Sequence, residues 1–564
     1  MRSHDIENSY LASVLRNFEN KRGEVFCHFA RGDSIDELKW SDLENSAQTV
    51  LKAYRAAELP RGAVVLIFLR HVPELYGCFV GAMLGGFVPS FMPCPSRKQD
   101  PDLYWKSHAS LFARVMPGAV VADRATLEEM SSYGIDLTRT TVIAMDDIVA
   151  SSDSDRVAWT IPSSSEIALL QHSSGTTGLK KGVALSYAAI AGQVRAYQEA
   201  LVLREDDLIA SWLPLYHDMG LIACLIVPLS VGVPMIHIDP FEWTARPGIL
   251  FERITQFHAT LCWLPNFAFE HLATVARRDA MLYELTSVRA FVNCSEVCKP
   301  ETFDRFVAAF SASGVTHAAM QCCYAMAETV FAVTQTRLGQ PPKRIWIDRV
   351  DLGSGQEVRL AAPGPGSKEL VEVGRTIASA VLRAHDENGT PLPDGVVGEL
   401  GVSADFLFKG YYQQPDLTNE RLRDGVYFTR DLGFTLDGSA FVLGRLDDVI
   451  IVNGRNLYAH EVEALIQGVP GIKRGRSVAV PWNDKRNGTQ ALALIAERDG
   501  SLQRADSAIR SDVLSTVFSV TQVTARSIHL VPEGWLVKTT SGKISRDLNL
   551  KKLQRELANE MNKA

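Results

Sequence analysis

Residues 172–182, His-Ser-Ser-Gly-Thr-Thr-Gly-Leu-Lys-Lys-Gly, are the most chemically suggestive stretch of the chain. Gly175, Gly178 and Gly182 permit tight turns and close backbone approach to a ligand. The hydroxyls of Ser173, Ser174, Thr176 and Thr177 are donors, and Lys181 adds a point charge suited to a phosphate. The spacing is not that of a Walker loop, because no GxxxxGK[ST] is present. Taken alone, the segment also reads as a flexible turn. His217 and Asp218 form a second group, of types that do general acid/base work.

The elements that must hold these residues follow from apolar patterning. EIALL (166–170) enters the loop and VALSYAAI (183–190) leaves it. GAVVLIFL (62–69), FVPSFMP (87–93) and GAVVAD (118–123) read as short buried strands. PELYGCFVGAMLGG (73–86) has helical spacing with small residues for close packing. Strands interleaved with helices predict βαβ units and a parallel sheet covered on both faces. From about residue 395 the pattern changes to VVGELGVSA (396–404), GVYFTRD (425–431) and SAFVLGR (439–445), which read as antiparallel strands. IIVNGRNLYAHEVEALIQ (450–467) reads as strand, turn and helix, and the tail from Ser545 as a charged amphipathic helix. The expected class is α/β. Residues 1–446 form a large multi-subdomain N-terminal part, with βαβαβ layers and a β-barrel-like portion. A boundary near 446–447 sets off residues 447–564 as a small α+β C-terminal part of ordinary domain size, and the resemblance given below implies that it is mobile.

Composition narrows the function classes. The 564 residues are 46% hydrophobic and 22% charged, as in soluble globular chains. Lys and Arg number 58 against 65 Asp and Glu, a net charge of −7, so a nucleic acid is not the expected partner. The nine cysteines form no CxxC and no zinc-ligand spacing, which predicts reduced, buried thiols in a cytoplasmic enzyme. Cys294 and Cys298, four apart, fit one helix face or no common element. No basic segment followed by an apolar run marks the N-terminus as a signal peptide. Three long runs free of charge, Leu75 to Ser96, Met219 to Ile238 and Phe306 to Ala327, are broken by proline, glycine or polar residues. Helix, turn and buried strand fit them better than a membrane span.

Four further blocks follow the loop in order. They are Cys323-Tyr324-Ala325-Met326-Ala327-Glu328-Thr329, Tyr427-Phe428-Thr429-Arg430-Asp431-Leu432-Gly433, Gly444-Arg445-Leu446-Asp447-Asp448, and Lys538-Thr539-Thr540-Ser541-Gly542-Lys543-Ile544-Ser545-Arg546. Together with the loop they resemble the acyl-adenylate-forming superfamily, from roughly residue 40 to residue 555. Ser211-Trp212-Leu213-Pro214-Leu215-Tyr216-His217-Asp218-Met219-Gly220-Leu221 is similar to the fatty-acyl-AMP ligase branch. So are Pro265-Asn266-Phe267-Ala268-Phe269 and an extra segment at about 335–372.

The resemblance implies ATP and Mg²⁺ as cofactors and a carboxylic acid as substrate. Acyl-AMP forms first, and an acyl carrier protein then takes the acyl group. It makes Lys543 the catalytic lysine, touching both the carboxylate and the α-phosphate. Such a contact at ~4 Å and an effective dielectric near 20 is worth about 4 kcal/mol. Ser173, Ser174, Gly175, Thr176, Thr177, Gly178 and Lys181 would hold the β- and γ-phosphates, with Thr177 and Glu328 linked to the metal. Tyr324, Ala325, Met326, Ser295 and Glu296 would line the adenine site, and Asp431 and Arg445 would take the ribose. Trp212, His217, Trp263, Asn266, Phe267 and Ala325 would form or support the acyl pocket. Asp447 would be the hinge and Gly454 the acceptor loop. Gly471 to Arg476, a basic run, would be a carrier-docking patch or a solvated turn.

Three departures accompany the resemblance. Cys294 and Val297 replace the usual Gly and Pro of the adenine-adjacent turn. Ala325 replaces a Gly close to the acyl group, which predicts a shorter or differently shaped acid than a long straight chain. Arg430 stands before Asp431 where the family has Gly, with no evident role in the sequence. CoA or an amine as acceptor, and an amino or aryl acid as substrate, stay open at this point. Asp218 keeps the amino acid open as an anion for an α-ammonium group.

Overall fold

The structure is a computed structural model that describes residues 9–95, 101–149, 155–173, 181–348, 352–364, 366–452, 455–483, 490–538 and 544–561. The apolar runs of the first half become parallel strands. Val88–Phe91, Val64–Phe68, Ala119–Ala122 and Thr141–Ala144 lie in that order in one parallel sheet. A nine-stranded sheet has Val25–Arg31, Met235–His237, Ile209–Ser211, Leu261–Leu264, Ala290–Asn293 and Met320–Ala325 as its parallel interior. Antiparallel strands close both of its edges. Most interior strands are buried along their whole length, as expected where helices cover both faces.

Helix Glu74–Leu84 packs so closely on helix Trp40–Ala56 that a Cβ at Gly81 would lie 2.7 Å from the Ala47 carbonyl oxygen. Helix Pro300–Phe310 starts with proline in its first turn and buries Thr302, Phe303, Phe306, Val307 and Phe310, one helical stripe. Phe306 is fully buried among Phe269, Phe291, Phe310 and Phe251, with ring centroids 4.9, 5.4, 5.0 and 6.1 Å away. This aromatic cluster seats the strand that ends at Asn293 against helix Asn266–Val275, the two elements that carry the expected acid-side residues.

Among the charge-free runs, Met219 to Ile238 holds a π-helix (Met219–Ile226), a short α-helix (Val227–Val231) and a strand (Met235–His237). No helix among the described residues is long and apolar enough to cross a membrane. All nine cysteines carry free thiols, eight of them buried. Cys294 and Cys298 share no helix face. Their segment is a loop in which Ser295 takes φ +68°, and the helix waits for Pro300.

The second half contains an antiparallel sheet of Ala380–His385, Gly398–Ala404, Val426–Leu436 and Leu422–Arg423, with Ser439–Arg445 also paired to Val426–Leu436. Within 335–372, Arg344–Asp348 and Ser367–Val371 form a hairpin. Its Ile345, Ile347 and Leu370 pack with Leu432, Phe434, Phe441, Leu443 and Tyr458. Beyond residue 446 the expected strand–turn–helix is two strands and a helix. Val449–Val452 pairs with Arg455–Tyr458 before helix Ala459–Ile466 begins. The second strand was hidden because Arg-Asn-Leu-Tyr has no alternating apolar pattern. Residues 450–525 gather an apolar core of their own around Val462, Ile466, Leu494 and Val513.

Phe306→Ala should lower stability by about 3–5 kcal/mol, the usual cost of emptying an aromatic site. A urea titration should show the midpoint falling with the slope unchanged.

Candidate active site

Strands Ile167–Ser173 and Lys181–Ser186 are antiparallel, with Ser173 opposite Lys181. Ser174, Gly175, Thr176, Thr177 and Gly178, between them in sequence, lie outside the described residues, as do Gly454 and Lys543. A third strand, Gly410–Tyr411, pairs with Lys181–Ser186 and sets Tyr411 beside Lys181. The Lys181 ammonium lies 5.3 Å from the centre of the Tyr411 ring, a cation–π distance. Tyr411 Oη donates to Glu328 Oε1 at 2.7 Å and is 3.4 Å from Tyr427 Oη. Burial holds Lys181 below the usual ammonium range; Arg421 and Arg445 add to this and Glu328 opposes it. Lys181 therefore lies close enough to Glu328 and Arg445 to feel both charges.

Asp431 and Arg445 are opposed residues of strands Val426–Leu436 and Ser439–Arg445. Tyr324 Oη donates to Asp431 Oδ2 at 2.5 Å, and Arg445 Nε lies 3.7 Å from Oδ1. The Asp431 amide donates to Thr429 Oγ1 at 3.0 Å, and that hydroxyl donates to the Leu400 carbonyl at 2.8 Å. Burial pushes the Asp431 carboxyl up, and Arg445 and Tyr324 pull it back. A carboxylate so fixed, beside an aromatic hydroxyl and a guanidinium, is a ready acceptor for paired hydroxyl groups.

Arg430, unexplained in the sequence, has φ +63°. A non-glycine residue there stores on the order of 1–3 kcal/mol of strain. Its amide donates to Glu399 Oε1 at 2.8 Å, and its Nη2 donates to Asp447 Oδ1 at 2.7 Å. Burial raises the Asp447 carboxyl, but the hydrogen bond and charge of Arg430, with Arg445 and Arg421, outweigh it and hold Asp447 below the usual range.

On the acid side, Trp212 stacks on Trp243, centroids 3.6 Å apart and rings parallel within 1°. Phe267, 43% exposed, stands edge-on to both at 6.4 Å. Neither indole N–H of the stacked pair has an acceptor among the described residues. Trp263 is fully buried and donates to Tyr197 Oη at 2.8 Å. Asn266 accepts from Asn293 Nδ2 at 2.9 Å and donates to Thr302 Oγ1 at 3.2 Å. Glu296 accepts from the Phe267 amide at 2.9 Å, while Ser295 donates to Cys294 Sγ at 3.8 Å. Trp263, Asn266 and Glu296 thus brace this wall through contacts inside the protein. Ala325 ends strand Met320–Ala325 and Met326 follows it, both half-buried beside Tyr324. His217 Nδ1 is 2.6 Å from Asp218 Oδ1, and that same oxygen caps the π-helix by accepting from the Met219 amide at 2.8 Å.

The described residues on either side of Lys543 are tied to one another. Lys538 and Ile544 form a β-bridge. Asn549, fully buried, accepts from the Val537 amide at 2.8 Å and donates to the Val537 and Ser545 carbonyls at 2.9 and 2.7 Å. Arg546 makes a two-pronged contact with Glu463 at 2.9 and 2.7 Å and reaches Asp448 at 2.6 Å. In the basic run, Lys473 is paired to Glu533 and Arg476 to the buried Glu497, so two of its cations serve the fold. Tyr411, Trp243 and Asn549 escaped the sequence reading. Their partners are 83, 31 and 12 residues away, and only the Gly-Tyr-Tyr-Gln-Gln-Pro turn around Tyr411 offered a local signal.

The fold and this arrangement of charges are those of an adenylate-forming enzyme. A profile of the AMP-binding enzyme family matches residues 16–412, and the chain belongs to that family. It is 28% identical over 560 residues to the long-chain-fatty-acid–AMP ligase FadD32 of Mycolicibacterium smegmatis, covering 90% of this chain and 88% of that one. It is 27% identical over 539 residues to the 4-hydroxyphenylalkanoate adenylyltransferase of Mycobacterium marinum, covering 91% and 85%. A structure from work on fatty acyl-adenylate ligases of E. coli and L. pneumophila has the same fold, with a TM-score of 0.88 at 24% identity over 98% of both chains. McyG A-PCP with phenylalanyl-adenylate superposes with a TM-score of 0.85 at 20% identity, covering 98% of this chain and 84% of that one.

A buried histidine, His237, and a half-buried one, His460, set a pH limit. Burial pulls His460 down to about 3, with Lys368, Arg546 and Lys299 adding and Glu461 opposing. Burial also pulls His237 well below the usual value, helped by His71. Between pH ~6.5 and the lowered value the unfolded chain holds a proton that the folded chain refuses. Stability is therefore complete above ~6.5 and declines as pH falls, by up to about 1.4 kcal/mol per pH unit for each such histidine. Urea midpoints at pH 7 and pH 5 should differ accordingly, and His460→Gln should reduce the difference.

Proposed function

We propose that this enzyme activates a fatty or related carboxylic acid with ATP and passes the acyl group to the phosphopantetheine thiol of an acyl carrier protein. The observation that carries the reading is the Tyr324–Asp431–Arg445 constellation facing the Lys181–Glu328–Tyr411 group. One can hold a ribose, the other a polyphosphate. In the first half-reaction a carboxylate oxygen attacks the α-phosphorus, the bond to the β-phosphate breaks, and pyrophosphate leaves. Both reactants are anions, so positive charge must lie between them. Lys543 is proposed for that position, and Lys181 with residues 173–178 for the leaving pyrophosphate. In the second, the thiol sulfur attacks the acyl carbon as thiolate and AMP departs.

The residues fit a Mg²⁺ ion of the kind that rides on a nucleotide. Glu328 is a buried carboxylate with one oxygen engaged by Tyr411, and no cluster of three ligating side chains occurs among the described residues. One carboxylate plus phosphate oxygens suits Mg²⁺. Glu328 and Thr177 would hold it, and when bound it would offset phosphate charge.

Asp218 spends an oxygen on the π-helix cap and lies against His217, which favours an acid without an α-ammonium group. Ala325 and the stacked Trp212–Trp243 pair favour a short or aryl acid over a long straight chain. Residues 447–564 are proposed to be a lid pivoting at Asp447, bringing Lys543 in for adenylation and Gly454 in for transfer.

Pyrophosphate exchange across fatty, aryl and amino acids tests the reading. Exchange should be strongest with short or aryl acids and absent with amino acids; equal or greater exchange with C12–C16 acids would sink the size argument. Supplying the acyl-AMP to carrier protein, CoA and amines should give transfer to the carrier alone. Lys543→Ala should slow adenylation by about three decades, the rate equivalent of a contact worth about 4 kcal/mol.

A further inference from the structure

Asp447 and Asp448 are neighbours in a single 3-10 turn, Leu446–Asp448, yet their side chains are tied to opposite parts of the molecule. Asp447 is held by Arg430, which belongs to strand Val426–Leu436 and whose amide is fixed to Glu399 on strand Gly398–Ala404. Asp448 is held by Arg546, which also clasps Glu463 on helix Ala459–Ile466. We propose that Arg430 is a positioning residue that clamps the hinge. With Arg546 clamping the next residue from the other side, rotation is confined to the bonds between Asp447 Cα and Asp448 Cα.

The geometry follows from where a side chain branches. Turning about N–Cα of Asp447 would carry its carboxylate off Arg430, so that torsion is locked while the pair holds. Turning about Cα–C of Asp447 leaves the carboxylate where it is. The same logic, reversed, frees N–Cα of Asp448 and locks its Cα–C bond to the side of Arg546. Two soft torsions remain, separated by one planar peptide. Arg430 adopts φ +63° although that conformation costs a side-chain-bearing residue energy. A glycine would take it freely but could not reach Asp447. Arg430 and Asp431 are adjacent, so one short segment addresses both the hinge and the Tyr324–Arg445 pocket. Breaking the clamp should alter how the protein divides its time between lid orientations, and hence the balance of the two half-reactions.

The inference rests on the two-step, moving-lid reading above, and the experiment separates the two. Arg430→Gly, Arg430→Lys, Asp447→Asn and the Arg430→Gly/Asp447→Asn double variant are compared with wild type. Pyrophosphate exchange and acyl transfer are measured separately, and hydrogen exchange is followed at the backbone amides of residues 445–449. Arg430→Gly and Asp447→Asn should each change the transfer-to-adenylation ratio by about fivefold or more, in the same direction. The double variant should shift it little further, because both remove one interaction. Arg430→Lys should fall nearer wild type, and amide exchange at 447 and 448 should rise in Arg430→Gly. A ratio within about twofold of wild type in both single variants, or a double variant equal to the product of the singles, overturns the clamp. Should wild type fail to adenylate any acid, the two-step reading falls and amide exchange alone judges the clamp; unchanged exchange in Arg430→Gly then overturns it.

Discussion

A carboxylate taken out of water must be given partners, and Asp431 shows how this protein meets that demand. Its two oxygens face the Tyr324 hydroxyl and the Arg445 guanidinium, and its amide is braced through Thr429 to the next strand. Removing either side-chain partner would leave a half-buried charge short of a partner. Three separate stretches of chain must therefore arrive together: the end of the parallel sheet at Tyr324, the long antiparallel strand at Asp431, and its neighbour at Arg445. The rest of the molecule is a means of holding those three ends in register.

The same reasoning explains why neutral contacts suffice elsewhere. The aromatic cluster around Phe306 is fully buried and carries no charge, so shape alone orders it. It sets the sheet against helix Asn266–Val275, and the polar links Asn293–Asn266–Thr302 and Glu296–Phe267 finish the alignment. Apolar packing gives the coarse position and a few hydrogen bonds give the fine one.

Much of this was legible in the sequence, and the failures share a cause. Val64–Phe68 and Ala119–Ala122 were readable because a strand buried on both faces is apolar throughout, a purely local property. The five blocks were readable because their residue types and order resemble a family. Arg430 was not, because its φ and its partner 17 residues on are set by tertiary structure. The Trp212–Trp243 stack, the Tyr411–Glu328 bond and the Asn549 brace are likewise contacts between segments with no common period. Asp218 shows a different limit. Its type leaves an anion for a ligand open, and nothing local foretells that its Oδ1 also accepts from the first amide of the helix that follows.

That helix is a π-helix, Met219–Ile226, buried at every position, and it begins directly after the His217–Asp218 pair. A π turn is an α turn with a residue to spare. Its register therefore fixes the azimuth at which the imidazole leaves the backbone relative to everything downstream. Losing one residue here would turn the π turn into an α turn and change the offset between the imidazole and the residues downstream. No change of side chain could do the same, so evolution by insertion or deletion has a coarse dial on this wall where substitution has only a fine one.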